Sequence, residues 1–260
     1  MFTQTGPHRW YWVRYQHNSH PPLIFVHGAG ADHTIWGRVA RELRPFTVYA
    51  VDLPGHGKSS GPAYATIEST ANALYTWLKA VLEEPFILAG HSMGGAIAQT
   101  LALTHPESLA GLILIGTGAR LRVHPHLLAL LNQKKKAEAA RWLLQWALAP
   151  HADPTLKQRV LRSMMQCSLK TIQADFMACN NFDVMAKIKH IRVPTLIVGM
   201  EQDRLTPPKY ARYLTEHIPA SEETLIPESG HMVMLEQPGA LARVIRNWMN
   251  HLYAPGNTPQ

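Results

Sequence analysis

The amino-acid sequence predicts an α/β fold: a mostly parallel, twisted sheet with helices on both faces, plus an inserted helical segment. Three observations predict it. Short apolar runs alternate with helical patterns along the first 115 residues, the signature of strands joined by crossover helices. Between about residues 119 and 189 the alternation stops and the pattern is helical throughout. At 260 residues, 46% of them hydrophobic, the chain can bury the core of one domain carrying an insert.

The elements follow in order. Residues 10–15 and 23–27 are early strands, 35–43 a helix and 47–51 a strand. Residues 67–82 form a helix with an apolar stripe at Leu74, Leu78, Val81 and Leu82. The apolar run at 86–91 is a strand, and 93–104 a helix that His105-Pro106 ends. Residues 109–115 are the next strand. In the insert, apolar periodicity recurs at Leu127, Leu128, Leu130 and Leu131, at Trp142, Leu143, Trp146 and Leu148, and at Val160, Leu161, Met164 and Met165, with one break at 149–154. Strands return at 195–199 and 223–226. A terminal helix covers 237–252, and the tail after Pro255 is expected to be loose.

Residues 90–95 read Gly-His-Ser-Met-Gly-Gly at the junction of the 86–91 strand and the 93–104 helix. That is G-x-S-x-G in a strand-to-helix turn, tight enough to hold Ser92 in a strained backbone conformation, with Gly90 and Gly94 leaving room. A serine hydroxyl needs a base, and the base an orienting acid. Asp203 lies in the loop after the 195–199 strand, and His231 in the loop after the 223–226 strand. All three therefore fall at one carboxyl edge of the sheet. Glu228 is the best rival acid; Asp153, Asp175 and Asp183 fall in the insert and fit less well. His91 should point away from the hydroxyl in a structural role.

With these pieces the chain resembles the α/β-hydrolase superfamily, in the branch of carboxylesterase-like serine hydrolases with a helical cap. The resemblance rests on His27-Gly28-Ala29-Gly30, on Asp52 to Ser59, on Gly90 to Gly95, on Gly199-Met200-Glu201-Gln202-Asp203 and on Gly230-His231. It implies Ser92 as nucleophile, His231 as general base and Asp203 as the acid that orients it. It implies an oxyanion hole from the backbone N–H groups of Ala29 and Met93; Met93 opens a helix, so its amide has no intrahelical partner. His27 would hold the oxyanion loop, and Asp32 and His33 either line the pocket or are a solvated pair at a helix start. The glycine-rich run 52–59 lacks P-loop spacing around Lys58 and reads as a structural turn. Residues 1–118 and 190–260 would form the catalytic core and 119–189 a cap, with Trp142, Trp146, Phe176, Phe182, Met232 and Met234 as candidate pocket walls.

The activity implied is cleavage of small to medium carboxylic esters through an acyl-enzyme on Ser92, with no cofactor and no metal. An epoxide hydrolase or haloalkane dehalogenase would need Asp at position 92. Proline iminopeptidases typically place Trp where His91 stands. Enol-lactonases, carbon–carbon bond hydrolases and cofactor-free perhydrolases share the same three residues, and acyl transfer to an alcohol differs only in the pocket. A carboxylate-bearing substrate would call for an inward-facing arginine among Arg120, Arg122, Arg141, Arg159 and Arg162. A catalytically silent ligand-binding protein is the reading from another class. The rate should rise with pH as His231 loses its proton.

The formal charge is +7, but the only dense basic run, Lys134-Lys135-Lys136, has no interleaved aromatics and reads as a solvated helix face rather than a nucleic-acid site. Cys167 and Cys179 have no metal-ligand spacing and are expected as free thiols. No signal peptide or membrane span is visible, so a cytoplasmic protein acting on a small-molecule ester is expected.

Overall fold

The computed structural model describes residues 1–15, 19–83 and 85–253. The tail after Pro255, expected to be loose, lies outside the described residues. Among the described residues the sheet has eight strands: β1 (Phe2–Thr5), β2 (His8–Tyr15), β3 (Ser19–Val26), β4 (Phe46–Val51), β5 (Phe86–His91), β6 (Leu109–Ile115), β7 (Thr195–Met200) and β8 (Ser221–Ile226). Their spatial order is β1-β2-β4-β3-β5-β6-β7-β8, antiparallel at β1–β2 and β2–β4 and parallel from β4 onward.

Successive strand residues feed two cores. Ile24, Val26, Leu88, Leu112 and Leu114 pack on one face against α2 (Ile67–Val81) and α3 (Met93–Thr104). Leu23, Phe25, Ile87, Ala89, Ile113 and Ile115 pack on the other, against α1 (Gly37–Glu42) and the last helix, α9 (Pro238–Leu252). Burial on both faces explains why these strands read as continuous apolar runs. All ten residues from Met93 to Ala102 are buried, so α3 shows no polar stripe.

The order places the site. From β3 the chain steps outward to β4, then returns to place β5 on the other side of β3. The loops leaving β3 and β5 therefore diverge to opposite sides and open a crevice at their carboxyl ends, where α/β sheets bind ligands. Those loops carry Ala29 and Ser92.

Four helices lie between β6 and β7: α4 (Pro125–Asn132), α5 (Lys136–Ala147), α6 (Pro154–Gln166) and α7 (Leu169–Asn181). Leu127, Leu130, Leu131, Ala139, Leu143 and Ile172 give them a small core of their own. Asp153 caps α6 through the Thr155 and Leu156 amides, and Ser168 caps α7 through the Thr171 amide.

Several expectations are corrected. The single helix at 35–43 is a 3-10 turn, His33–Trp36, followed by α1, with Asp32 capping the turn through the Thr34 amide. The strand β1 and the helix α8 (Pro208–His217) were not expected. The former is too short and polar to show a pattern; the latter is announced only by Pro207-Pro208, a favoured helix opening. The insert also breaks between α4 and α5, where Lys134 has φ +61°. Lys134 and Lys135 thus sit exposed in a turn rather than on a helix face, and only Lys136 opens α5.

Candidate active site

Ser92 stands between the last residue of β5 and the first of α3, with φ 53° and ψ −115°. The left-handed φ is costly for a serine, and its neighbours over-determine it. The Ser92 N–H donates to Ile115 O at 3.0 Å, and Ser92 O accepts from Gly95 N at 2.9 Å, Ala96 N at 3.2 Å and Thr117 Oγ1 at 2.9 Å. A Cβ on Gly90 would sit 2.1 Å from Gly94 O, and one on Gly94 would sit 2.4 Å from Val26 O. Only glycine fits at either position, which is the physical content of the motif.

His231 and Asp203 meet although 28 residues apart: the imidazole Nδ1–H donates to Asp203 Oδ2 at 2.8 Å. Both are buried. With Nδ1 donating, the Nε2 of a neutral ring carries the lone pair a base needs. Three more donors hold the carboxylate. Leu205 N and Thr206 N donate to Oδ1 at 2.8 and 2.9 Å, and the Thr206 hydroxyl donates to Oδ2 at 2.8 Å. Burial pushes the Asp203 carboxyl up, but the facing His231 and the Thr206 donors outweigh it and hold it below the usual carboxylate range. Glu228, the rival acid, is exposed, and its amide donates to Glu201 Oε2 at 3.0 Å. Asp183 pairs with Arg120, and Asp153 caps α6.

Among the described residues, the amides of Ala29 and Met93 receive no acceptor. Two histidines brace this region. Leu53 N donates to His27 Nε2 at 3.1 Å, so Nδ1–H donates to Gly28 O at 2.9 Å. His91 Nε2–H donates to His231 O at 3.0 Å. Burial first, then neighbouring imidazoles, lowers His27 to about 4 and His91 well below the ordinary histidine value, so both rings are neutral at pH 7.

Two chambers meet at Ser92 and His231, and Ala29, Leu143, Phe176 and Leu205 belong to both. The inner one is apolar and walled by Val160, Met164, Met232 and Leu235. The outer one is bordered by Val123, Trp142, Trp146 and Tyr210, with Arg122 and Arg204 on its wall. Trp142, Trp146, Phe176 and Met232 thus line the space next to Ser92. Phe182 and Met234 do not: Phe182, 2% exposed, packs into the main core beside Ala178, and Met234, fully buried, packs under the sheet with Val233. Both are corrected to core residues. Of the five insert arginines only Arg122 reaches a chamber wall. Arg204 was missed; its guanidinium lies 5.1 Å from the Trp146 ring centroid and donates to Gln145 O, tying the Asp203 loop to α5. Its place directly after Asp203 was the signal available.

Asp32, His33 and Asp52 are the one group of possible metal ligands among the described residues, with ligand atoms within 4.8 Å of one another. Asp52 is already occupied: Oδ1 accepts from His33 N and Nδ1 at 2.7 Å, and Oδ2 from Lys58 N at 2.9 Å. These bonds make residues 52–58 the structural turn expected, and neither Asp32 nor His33 lines either chamber.

This geometry supplies a strained hydroxyl, an imidazole oriented by a buried carboxylate, two free amides and an apolar chamber: the parts acyl transfer requires. Comparison with known proteins agrees. A sequence model of the alpha/beta hydrolase family matches residues 23–244. A pimeloyl-[acyl-carrier protein] methyl ester esterase of Neisseria meningitidis is 29% identical over 242 residues, covering 87% of this chain and 93% of the relative. The structure of a thermophilic esterase superposes with TM-score 0.87 at 30% identity, covering 97% of this chain and 98% of that one. A thermophilic esterase of Thermogutta terrifontis superposes with TM-score 0.85 at 26% identity, covering 97% of both chains.

Proposed function

The chain belongs to the alpha/beta hydrolase family, and from that premise we propose that it is a serine hydrolase cleaving carboxylic esters through an acyl-enzyme on Ser92. The observation that carries the reading is that His231, held by Asp203 at 2.8 Å between Nδ1 and Oδ2, lines the same apolar chamber as the strained Ser92. In the first half-reaction His231 Nε2 takes the Ser92 proton as Oγ attacks the ester carbon. The amides of Ala29 and Met93 receive the developing oxyanion, and the protonated imidazole returns the proton to the departing alcohol. A water activated by the same base then releases the acid. Asp203 holds the imidazole in the productive tautomer throughout.

Residues 119–189 act as a cap over residues 1–118 and 190–260. The relatives named as pimeloyl-[acyl-carrier protein] methyl ester esterases suggest the substrate class to test first, a methyl ester of an acyl group borne on acyl-carrier protein. The outer chamber, with Arg122 and Arg204 on its wall, suits an anionic substrate portion. Among the described residues no helix is long and apolar enough to cross a membrane. The two free thiols suit a reducing compartment such as the cytoplasm.

Hydrolysis of p-nitrophenyl esters from acetate to palmitate, by wild type and Ser92→Ala in parallel, tests the reading. Activity that peaks at one chain length and vanishes in the variant supports an esterase and sizes its acyl chamber. Fluorophosphonate labelling of Ser92 without ester turnover would move the assignment to lactones, carbon–carbon bonds or peroxide chemistry. A serine that neither labels nor turns over would overturn it.

A further inference from the structure

Helix α7 sends a carboxylate out of the insert and into the loop that follows β3. Asp175 is 2% exposed, and its Oδ2 accepts two hydrogen bonds at 2.8 Å, from the Gly30 amide and from His56 Nε2. The other ring nitrogen of His56 donates to Pro54 O at 3.0 Å. Both nitrogens of this buried ring therefore face acceptors, an arrangement only the imidazolium satisfies. Burial pushes His56 down, but Asp175 outweighs it and raises the ring above the ordinary histidine value. The Thr171 hydroxyl, one turn earlier on α7, donates to Gly55 O at 3.2 Å, so one helix face grips both core loops.

The Gly30 bond matters because of the turn it belongs to. Residues 28–31 close with Ala31 N donating to Gly28 O at 3.3 Å, and Gly30, at φ +66°, is the third residue. That closure leaves two amides unused inside the turn, those of Ala29 and Gly30. Asp175 takes the second, which fixes the peptide plane between Ala29 and Gly30. The Ala29 amide is one peptide away and lies beside Ser92 in the chamber wall. A charge-assisted bond from a buried carboxylate sets such a plane far more firmly than water would.

We propose that Asp175 is a positioning residue: locked by the His56 imidazolium, it fixes the Gly30 amide and thereby aims the Ala29 N–H at the oxyanion. The proposal rests on the reading of Ala29 as an oxyanion donor. Asp175 serves a different partner from Asp203, which orients the base, and no hydrogen bond joins Asp175 to His231. The aim of the oxyanion loop is then set by the insert, not by the core alone.

The test compares three variants of the full chain. Asp175→Asn keeps an oxygen for the Gly30 amide without the charge. Asp175→Leu/His56→Leu removes the anchor while replacing the buried ion pair with an apolar one, an exchange that interiors often tolerate. Asp175→Ala serves where the double variant does not fold. Active sites are titrated with fluorophosphonate, and kcat and KM on p-nitrophenyl butyrate are expressed per titrated Ser92, together with the rate constant of labelling. Labelling passes through a charged oxygen on phosphorus, so it reads the oxyanion donors whatever the natural substrate. The double variant, or Asp175→Ala in its place, is expected to lose about tenfold to a hundredfold in kcat and in labelling rate, with KM within about twofold. Asp175→Asn recovers most of that loss, and the pH midpoint stays where wild type has it, because the Asp203–His231 pair is untouched. Wild-type rates per titrated site in the folded double variant, or a loss confined to KM or to the number of titratable sites, would overturn the proposal alone. A wild-type chain that neither labels nor hydrolyses any ester would overturn the serine-hydrolase reading, and this inference with it.

Discussion

His91, the residue before Ser92, donates its Nε2–H to the backbone carbonyl of His231 at 3.0 Å. The strand that presents Ser92 therefore also holds the loop that carries His231, and the two rings lie 4.5 Å apart. The other nitrogen of His91 is buried without a partner, so the ring is held by this one bond and by packing.

His91→Ala should therefore act on catalysis through the position of His231. A displacement of about 1 Å at a catalytic group can cost on the order of a hundredfold, and one hydrogen bond nets about 1 kcal/mol of stability. The expected result is a folded protein with kcat lowered about tenfold or more and KM little changed. His91→Gln, which can still donate, should recover part of the loss. Equal kcat for wild type and His91→Ala in steady-state assays would assign His91 to packing alone.

Asp203→Asn separates orientation from charge. Asparagine can still accept from Leu205 N and Thr206 N, so the loop should keep its shape. It cannot hold His231 Nδ1–H as a carboxylate does, and it favours the wrong tautomer. A fall in kcat of about a thousandfold to ten-thousandfold is expected, with circular dichroism unchanged. A loss under tenfold would reopen the choice of acid.

The carboxyl edge of the sheet was readable because each of its three residues falls in the turn or loop after a recognisable strand: Ser92 after 86–91, Asp203 after 195–199 and His231 after 223–226. The elbow was readable because Gly90 and Gly94 face backbone oxygens closer than any side chain allows. Asp175 was not readable: it was weighed as a rival to Asp203, whereas its partners, Gly30 and His56, lie 145 and 119 residues away. Phe182 and Met234 were misassigned because sequence gives a residue's hydrophobicity but not which side of an element meets a chamber and which meets the core. Thr206 left a local trace, a threonine three residues after an acid, that gains meaning only once the acid's partner is known.

Stability should fall as the solution becomes acidic, beginning near neutral pH rather than near pH 4. His27, lowered to about 4, and His91, lowered well below the ordinary histidine value, bind fewer protons folded than unfolded. Their contribution is present above an unfolded value of about 6.5 and is lost as pH falls toward the folded values. His56 opposes them. The groups facing it are His27 from the end of β3, Asp52 from the end of β4 and Asp175 from α7, and its raised value contributes stability below about 6.5 that is lost as pH rises through it. Glu236, its carboxyl pushed up by burial, opposes them too, but the large shifts are those of His27 and His91, so acidification brings a net loss. Thermal midpoints recorded between pH 7.5 and 4.5 should decline steadily, and His56→Gln should steepen the decline. A flat curve would contradict neutral, buried His27 and His91.

The strain at Ser92 makes its own prediction, independent of substrate. A non-glycine residue at φ 53° and ψ −115° costs roughly 1–3 kcal/mol, and the surrounding bonds to Ile115, Gly95 and Thr117 hold it there. Ser92→Ala removes the hydroxyl but keeps the Cβ, and so keeps the strain. Ser92→Gly removes both, at a cost of about 0.4–1 kcal/mol from the freer unfolded chain. The glycine variant should therefore be the more stable of the two by about 1 kcal/mol, or about 2–4 °C in Tm for a chain of this size. Both should be inactive, so the difference is purely one of backbone conformation. Equal melting temperatures, or a higher one for Ser92→Ala, would mean that the turn is not strained at Ser92 and that its glycines alone absorb the bend.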